Sequence, residues 1–331
     1  MAALIAVTVN LVEGYFIITV DGLIFEVKGV IHPKNRVIAY LRYVPVSDGY
    51  KKIYPLDERE TYLQNNFPSY LWFSEPHGRM VQSVPKDRID SILSPVECLR
   101  DLREHTGKIS NLEQASVNLA EGLVELTRIE WSNIGITGSQ LVGIAKSDSD
   151  IDLVVFGLDA CQRFYSSFSQ NYASVAGMER YAGGMLDNHV EFRWGAHASL
   201  KPVLREIERE KVLQGLFEGY HFFVRLVKTP DDYDHVYGDL SFQMKGLQIV
   251  SGVVIEDSDS IFTPCEYLVK SENVPNLRKL VSYRGRFTEQ ISQGASFEAR
   301  GRLEMVTNHK EQNQYLQLVL GELPTDYLVP K

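Results

Sequence analysis

Apolar and polar positions change rhythm three times along the chain. Over residues 1–94 they come in short runs typical of strands. Leu23–Ile31 and Val37–Val44 are rich in β-branched and aromatic residues, which suit a pleated, half-buried surface. His32-Pro33-Lys34-Asn35 separates them like a hairpin loop, and Pro45 closes the second run. Tyr70–Phe73 and Met80-Val81 predict further short strands around Pro76-His77-Gly78, with a short helix over 57–66. Met1–Val7 is apolar but too short, and lacks the basic start, for a secretory signal; it is expected to begin a strand.

From Pro95 the spacing becomes helical. Val96, Leu99 and Leu102 recur on one face. Ser110-Asn111-Leu112-Glu113 is a capping box, in which the Ser oxygen and the Glu carboxylate satisfy orphan backbone N–H groups. Behind it Leu112, Ala115, Leu119, Leu123 and Leu126 form an apolar stripe. Strands are expected over 133–137, 152–156 and 220–227. Helices are expected over about 160–178, ended by Gly183-Gly184, and over 202–214. The third rhythm starts near residue 241, with short strands over 247–254, 266–269, 279–287, 296–306 and 315–320. Five or so strands at that spacing predict a small barrel or sandwich. The expected fold class is α+β / α/β, with a central domain over 95–240 between two small β-rich domains, 1–94 and 241–331.

Composition changes this picture only at one point. A hydrophobic content of 44% and a charged content of 23% describe an ordinary globular chain, and no run is long enough to span a membrane. Cys98, Cys161 and Cys265 are isolated and lack metal-ligand spacing, which favours a reducing, cytoplasmic setting. The net charge of −9 is uneven: residues 96–240 carry 22 acidic and 14 basic side chains, while both flanks are near balance. An acidic centre is a poor non-specific binder of nucleic-acid backbone but a fair host for cations.

The chemistry concentrates in Ile134–Gly157. Gly138-Ser139 ends an apolar run, Gly143 follows, and Asp150-Ile151-Asp152 enters a β-branched strand. Two acids two residues apart on a strand point to one face, with Cα atoms about 6.5–7 Å apart. That is a spacing at which carboxylates share divalent cations. A Gly-Ser turn offers bare backbone N–H groups and a hydroxyl to a phosphate. A calcium loop beginning at Asp148 fails, because Leu153 stands where Gly must turn the chain. A Walker-type phosphate loop fails because Gly143 is followed by Ile144-Ala145. The plain structural alternative is a polar turn before a strand.

Gly138-Ser139 with Gly143, followed by Ser149-Asp150-Ile151-Asp152, resembles the motif of the DNA polymerase beta-type nucleotidyltransferase superfamily. The wider chain, with Gly22–Gly29 and Tyr283–Phe287, resembles uncharacterised archaeal predicted nucleotidyltransferases. The resemblance implies a central nucleotidyltransferase-fold domain in which Asp150 and Asp152 are catalytic and ligate two Mg²⁺ ions. Gly138, Ser139, Gly143 and Ser149 would bind the NTP, with Lys146 as an extra phosphate contact. The acceptor hydroxyl would belong to RNA, protein or a small molecule. The superfamily's third carboxylate is expected on the strand His221–Lys228, where Arg225 stands instead; Glu191 is the nearest substitute. A nucleotide- or RNA-binding protein without turnover, and an interaction scaffold, are therefore the alternatives. Arg284, Arg286, Arg300 and Arg302, with Tyr283 and Phe287, would form a basic face for single strands or a solvated face balanced by Glu289, Glu298 and Glu304. His32, His77, His189, His197 and His221 are scattered and read as core or surface residues.

Overall fold

The computed structural model describes residues 10–331, so the strand expected to begin within Met1–Val7 lies outside the described residues. Among the described residues the chain forms three sheets and seven helices, with one sheet in each third of the chain.

The N-terminal sheet holds β1 (Phe16–Thr19), β2 (Ile24–Val27), β3 (Arg36–Val46), β4 (Gly49–Lys52), β5 (Leu71–Ser74), β6 (Arg79–Pro85) and β7 (Ile89–Leu93). Its order is β5-β6-β3-β2-β1-β7, with β4 folded back on β3. The loop at His32–Asn35 does join two antiparallel neighbours, β2 and β3. Helix α1 (Leu56–Asn66) covers one side, starting with Asp57 and Glu58 where the positive end of the helix dipole favours them. It buries Leu63 and, unusually, Arg59.

The middle third opens with α2 (Pro95–Glu104), capped by the Ser94 hydroxyl, and α3 (Asn111–Thr127), in which both bonds of the capping box form. Next come β8 (Ile134–Ile136), the single-turn α4 (Gly138–Leu141), β9 (Ile151–Phe156) and α5 (Leu158–Gln170). The helix expected to reach 178 stops at Gln170, and Met178–Glu179 forms the edge strand β10. Gly183-Gly184 opens a helix rather than ending one, since α6 spans Gly183–Trp194 and α7 spans Lys201–Glu210. Strands β11 (Gln214–Phe217) and β12 (Tyr220–Val227) complete a sheet of order β10-β11-β12-β9-β8. Only β9 and β12 run parallel; the other neighbours are antiparallel.

Period-two alternation splits the faces of β9. Ile151, Leu153 and Val155 enter the core with Leu119, Leu123 of α3 and Phe164, Phe168 of α5. Val154 and Phe156 face the other way and meet Val12 and Val30, which lie in the segments flanking β1 and β2. Asp152 shares that second face.

The last third forms β13 (Leu240–Glu256), β14 (Cys265–Ser271), β15 (Leu277–Ser282), β16 (Ser296–Asn308), β17 (Asn313–Leu320) and β18 (Tyr327–Pro330). The order is β13-β14-β15-β17-β16-β18, and β13 also pairs with β16, so five strands close on themselves. The expected strand over 279–287 ends at Ser282, and Gly285–Phe287 is a helical turn with Phe287 buried. Helices α6 and α7, though central in sequence, send Leu186, Val190, Trp194 and Leu204 into this C-terminal core. The Trp194 ring meets Phe287 edge-on at 5.3 Å.

Candidate functional site

The site grows out of two adjacent strands and the turn between them. Gly138 adopts φ +69°, and a Cβ built there would lie 2.1 Å from Asp152 Oδ2. Any other residue would be strained in backbone and would collide with the carboxylate. The Gly-Ser turn thus lies bare backbone against Asp152. The Thr137 N–H donates to the Asp152 carbonyl at 2.9 Å, while its hydroxyl donates to the Gly14 carbonyl at 2.6 Å. Ser139 follows in the α4 turn, where its carbonyl accepts from Ile144 N–H at 3.0 Å. Gly143 takes φ +74° and lets the loop reverse.

Ser149 closes that loop: its hydroxyl accepts from Lys146 N–H at 2.9 Å, and its own N–H donates to the Lys146 carbonyl at 3.1 Å. Its hydroxyl is aimed at the turn rather than at Asp150. Lys146 is exposed. Sequence reasoning missed Gln140, whose buried amide exchanges hydrogen bonds with the Ser116 hydroxyl of α3 at 2.9 and 3.1 Å. A serine inside an apolar helical stripe was the available signal.

Asp150 is exposed and Asp152 half-buried. Burial and the Asp150 carboxylate push Asp152 up to about 6, against the pull of Arg225. Glu26 and Lys52 of the N-terminal sheet also act on it. A cation at this mouth would relieve the repulsion between the two acids.

The strand β12 explains the third position. Phe223 stands opposite Asp152 and Arg225 opposite Val154, so both share the Asp152 face. Arg225 Nη1 donates to Glu13 at 2.8 Å and lies 3.6 Å from Glu26. The place expected for an acid therefore holds a cation, and Glu13 in the turn before β1 and Glu26 in β2 supply its counter-charges. Glu191 lies exposed on α6, ion-paired with Lys201. Among the described residues no three His, Cys, Asp or Glu side chains gather as a metal site, so Glu191 does not join Asp150 and Asp152. Mg²⁺ commonly takes one or two carboxylates and completes its shell with phosphates and water, which the aspartate pair fits.

The four C-terminal arginines do not form one face. Arg286 stacks on Trp194 at 4.8 Å and donates to the Arg193 carbonyl. Arg300 is tied to Thr325, while Arg284 and Arg302 turn into a cavity. His189 and His197 are buried, as core histidines would be.

The three cysteines are free, and no described helix is long and apolar enough to cross a membrane. No family model matches the chain, and no solved structure matches it. It is similar to the uncharacterized protein MJ1086 of Methanocaldococcus jannaschii, 25% identical over 326 residues, covering 92% of this chain and 94% of that protein. Such coverage leaves too little unaligned chain to omit any of the three sheets.

Proposed function

We propose that the protein is a Mg²⁺-dependent nucleotidyltransferase that moves a nucleoside monophosphate from an NTP to an acceptor hydroxyl on RNA, protein or a small molecule. The observation that carries this reading is the contact of the bare Gly138 backbone with the Asp152 carboxylate, a Gly-Ser turn and an acid side by side, which supports a joint phosphate and cation site. Asp150 and Asp152 hold the metal, and Gly138, Ser139, Gly143 and Ser149 line the phosphates. Bound Mg²⁺ supplies charge neutralisation at the triphosphate and at the attacking oxygen. In the transfer, the acceptor oxygen forms its bond to the α-phosphorus as the bond to pyrophosphate breaks. The hydroxyl proton passes to solvent. The Gly138–Ser139 turn holds the phosphates while Asp150 and Asp152 set the line of attack.

Arg225 favours a second reading, a nucleotide- or RNA-binding protein that keeps the fold without turnover. The experiment is incorporation of label from [α-³²P]NTPs in the presence of magnesium. Transfer that falls by about a thousandfold or more in Asp150→Asn with Asp152→Asn supports the enzyme. NTP or RNA binding that persists in that variant, with no transfer by the unaltered chain, supports the binder.

A further inference from the structure

The three sheets meet around a cavity of about 470 Å³, within the range of small-molecule sites, and neither Asp150 nor Asp152 lines it. Its wall carries eight Lys and Arg side chains against five Glu. Four of those glutamates are already engaged. Glu26 faces Lys28, Arg42 and Arg225, Glu266 pairs with Lys279, and Glu304 and Glu322 hold Arg302 and Arg79. The fifth, Glu60, is exposed and has no ion-pair partner among the described residues.

Two of the arginines in this wall have no carboxylate within ion-pair distance among the described residues. Arg59 is only 5% exposed, and its guanidinium donates to the Ile53 and Tyr54 carbonyls at 2.9 Å each, which fixes it without neutralising it. Arg284 makes one 3.3 Å bond to the Gly321 carbonyl and is otherwise open to the cavity. Arg42 has a single 3.7 Å contact with a Glu26 it shares with two other cations. Burial and the neighbouring Arg42, with Arg284 acting in the same sense, lower Arg59 to about 10. Arg225 and Arg302, also in the wall, each keep a buried Nε without a partner. Burying a charge without a counter-ion costs several kcal/mol, and in this wall that cost falls on Arg59, beside the exposed Arg284.

We propose that this cavity binds a phosphorylated small molecule, with its phosphate on Arg42, Arg59 and Arg284 and its organic part against Tyr40 and Tyr283. A phosphomonoester dianion matches the two uncompensated guanidiniums, whereas a carboxylate would leave one charge unmet. The planar fork of Arg suits phosphate oxygens. Tyr40 and Tyr283 line the same wall and offer flat apolar faces. A cavity of this size between three sheets admits a small molecule, and a chain of net charge −9 does not attract a long polyanion. The proposal does not depend on the aspartates being catalytic.

The test is isothermal titration calorimetry of the full chain in EDTA, which silences any magnesium-dependent site. The probes are AMP and ribose 5-phosphate, their unphosphorylated twins adenosine and ribose, and a 5′-phosphorylated decaribonucleotide. At least one small phosphate should bind while its twin does not. Arg284→Gln and Arg42→Gln should each weaken binding tenfold or more, and Asp150→Asn with Asp152→Asn should leave it unchanged. Arg284 is exposed, so its variant keeps the fold, which thermal unfolding verifies. No binding of either phosphate at millimolar concentration would overturn the proposal. So would binding indifferent to Arg284→Gln, or tighter binding of the oligonucleotide than of both small phosphates.

Discussion

Two buried charge centres in this protein are built on opposite plans. On α7, Glu208 is 1% exposed and both of its carboxylate oxygens accept hydrogen bonds. Its Oε1 accepts from Lys211 and Trp194 at 2.9 Å, and its Oε2 from Gln214 at 2.6 Å, with His189 at 3.1 Å. Lys211 uses its other protons on the Arg286 carbonyl and Gln290. Across the molecule, Arg59 is also buried but answers to backbone carbonyls and to other arginines. Burial of charge alone therefore says little about function. Charge left without a counter-charge says more, because folding stability has no use for it.

Lys211→Met breaks the satisfied centre hardest. It leaves Glu208 buried without its cation and should lower unfolding free energy by about 3–5 kcal/mol, read from urea denaturation. Gly138→Ala tests the intermediate case, Asp152, whose nearby cation Arg225 is already claimed by Glu13 and Glu26. Positive φ and the collision with Asp152 should cost about 1–3 kcal/mol and remove magnesium-dependent transfer.

Acid should separate the centres next. Burial alone would raise Glu208, but Lys211 and the hydrogen bonds from His189 and Gln214 outweigh it and hold the carboxyl well below its ordinary 4.5. The unfolded chain takes that proton first. The stabilisation is thus complete above about pH 4.5 and is lost as pH falls through the lower folded value. His189, lowered by burial from 6.5, works in the same direction at higher pH. Urea midpoints followed from pH 7 to pH 3 should fall, and Glu208→Gln should lack the lower part of that slope. The smallest effect belongs to Arg284→Gln, which should change stability by no more than about 0.5 kcal/mol. A loss comparable to that of Lys211→Met would erase the contrast.

Local signals were legible in the sequence where the physics is local. Ser110 and Glu113 form both capping bonds, and Asp152 stands at the start of a strand, two residues after Asp150, beside a glycine turn that touches it. Gly183-Gly184 misled because glycine marks a helix start as readily as a break when Ala182 before it is extended. Arg284 to Phe287 read as strand, yet Phe287 turns inward to meet Trp194 from a helix nearly a hundred residues earlier. The partners of Arg225 were also illegible. Periodicity names the face of β12, but only the assembled sheets bring Glu13 and Glu26 to it. The empty-handed Arg59 reads in sequence as one more polar residue of an exposed helix.

The Glu13–Arg225 bond spans 212 positions of chain. At translation rates of about 5–20 residues per second, Glu13 emerges on the order of 10–40 s before its cation exists. The N-terminal sheet can pair its strands in that interval, but the segment around Glu13 and Gly14 must wait, solvated, for β9 and β12. Docking of that segment is a high-contact-order event, and it sets a late step in the maturation of the surface that carries Asp152.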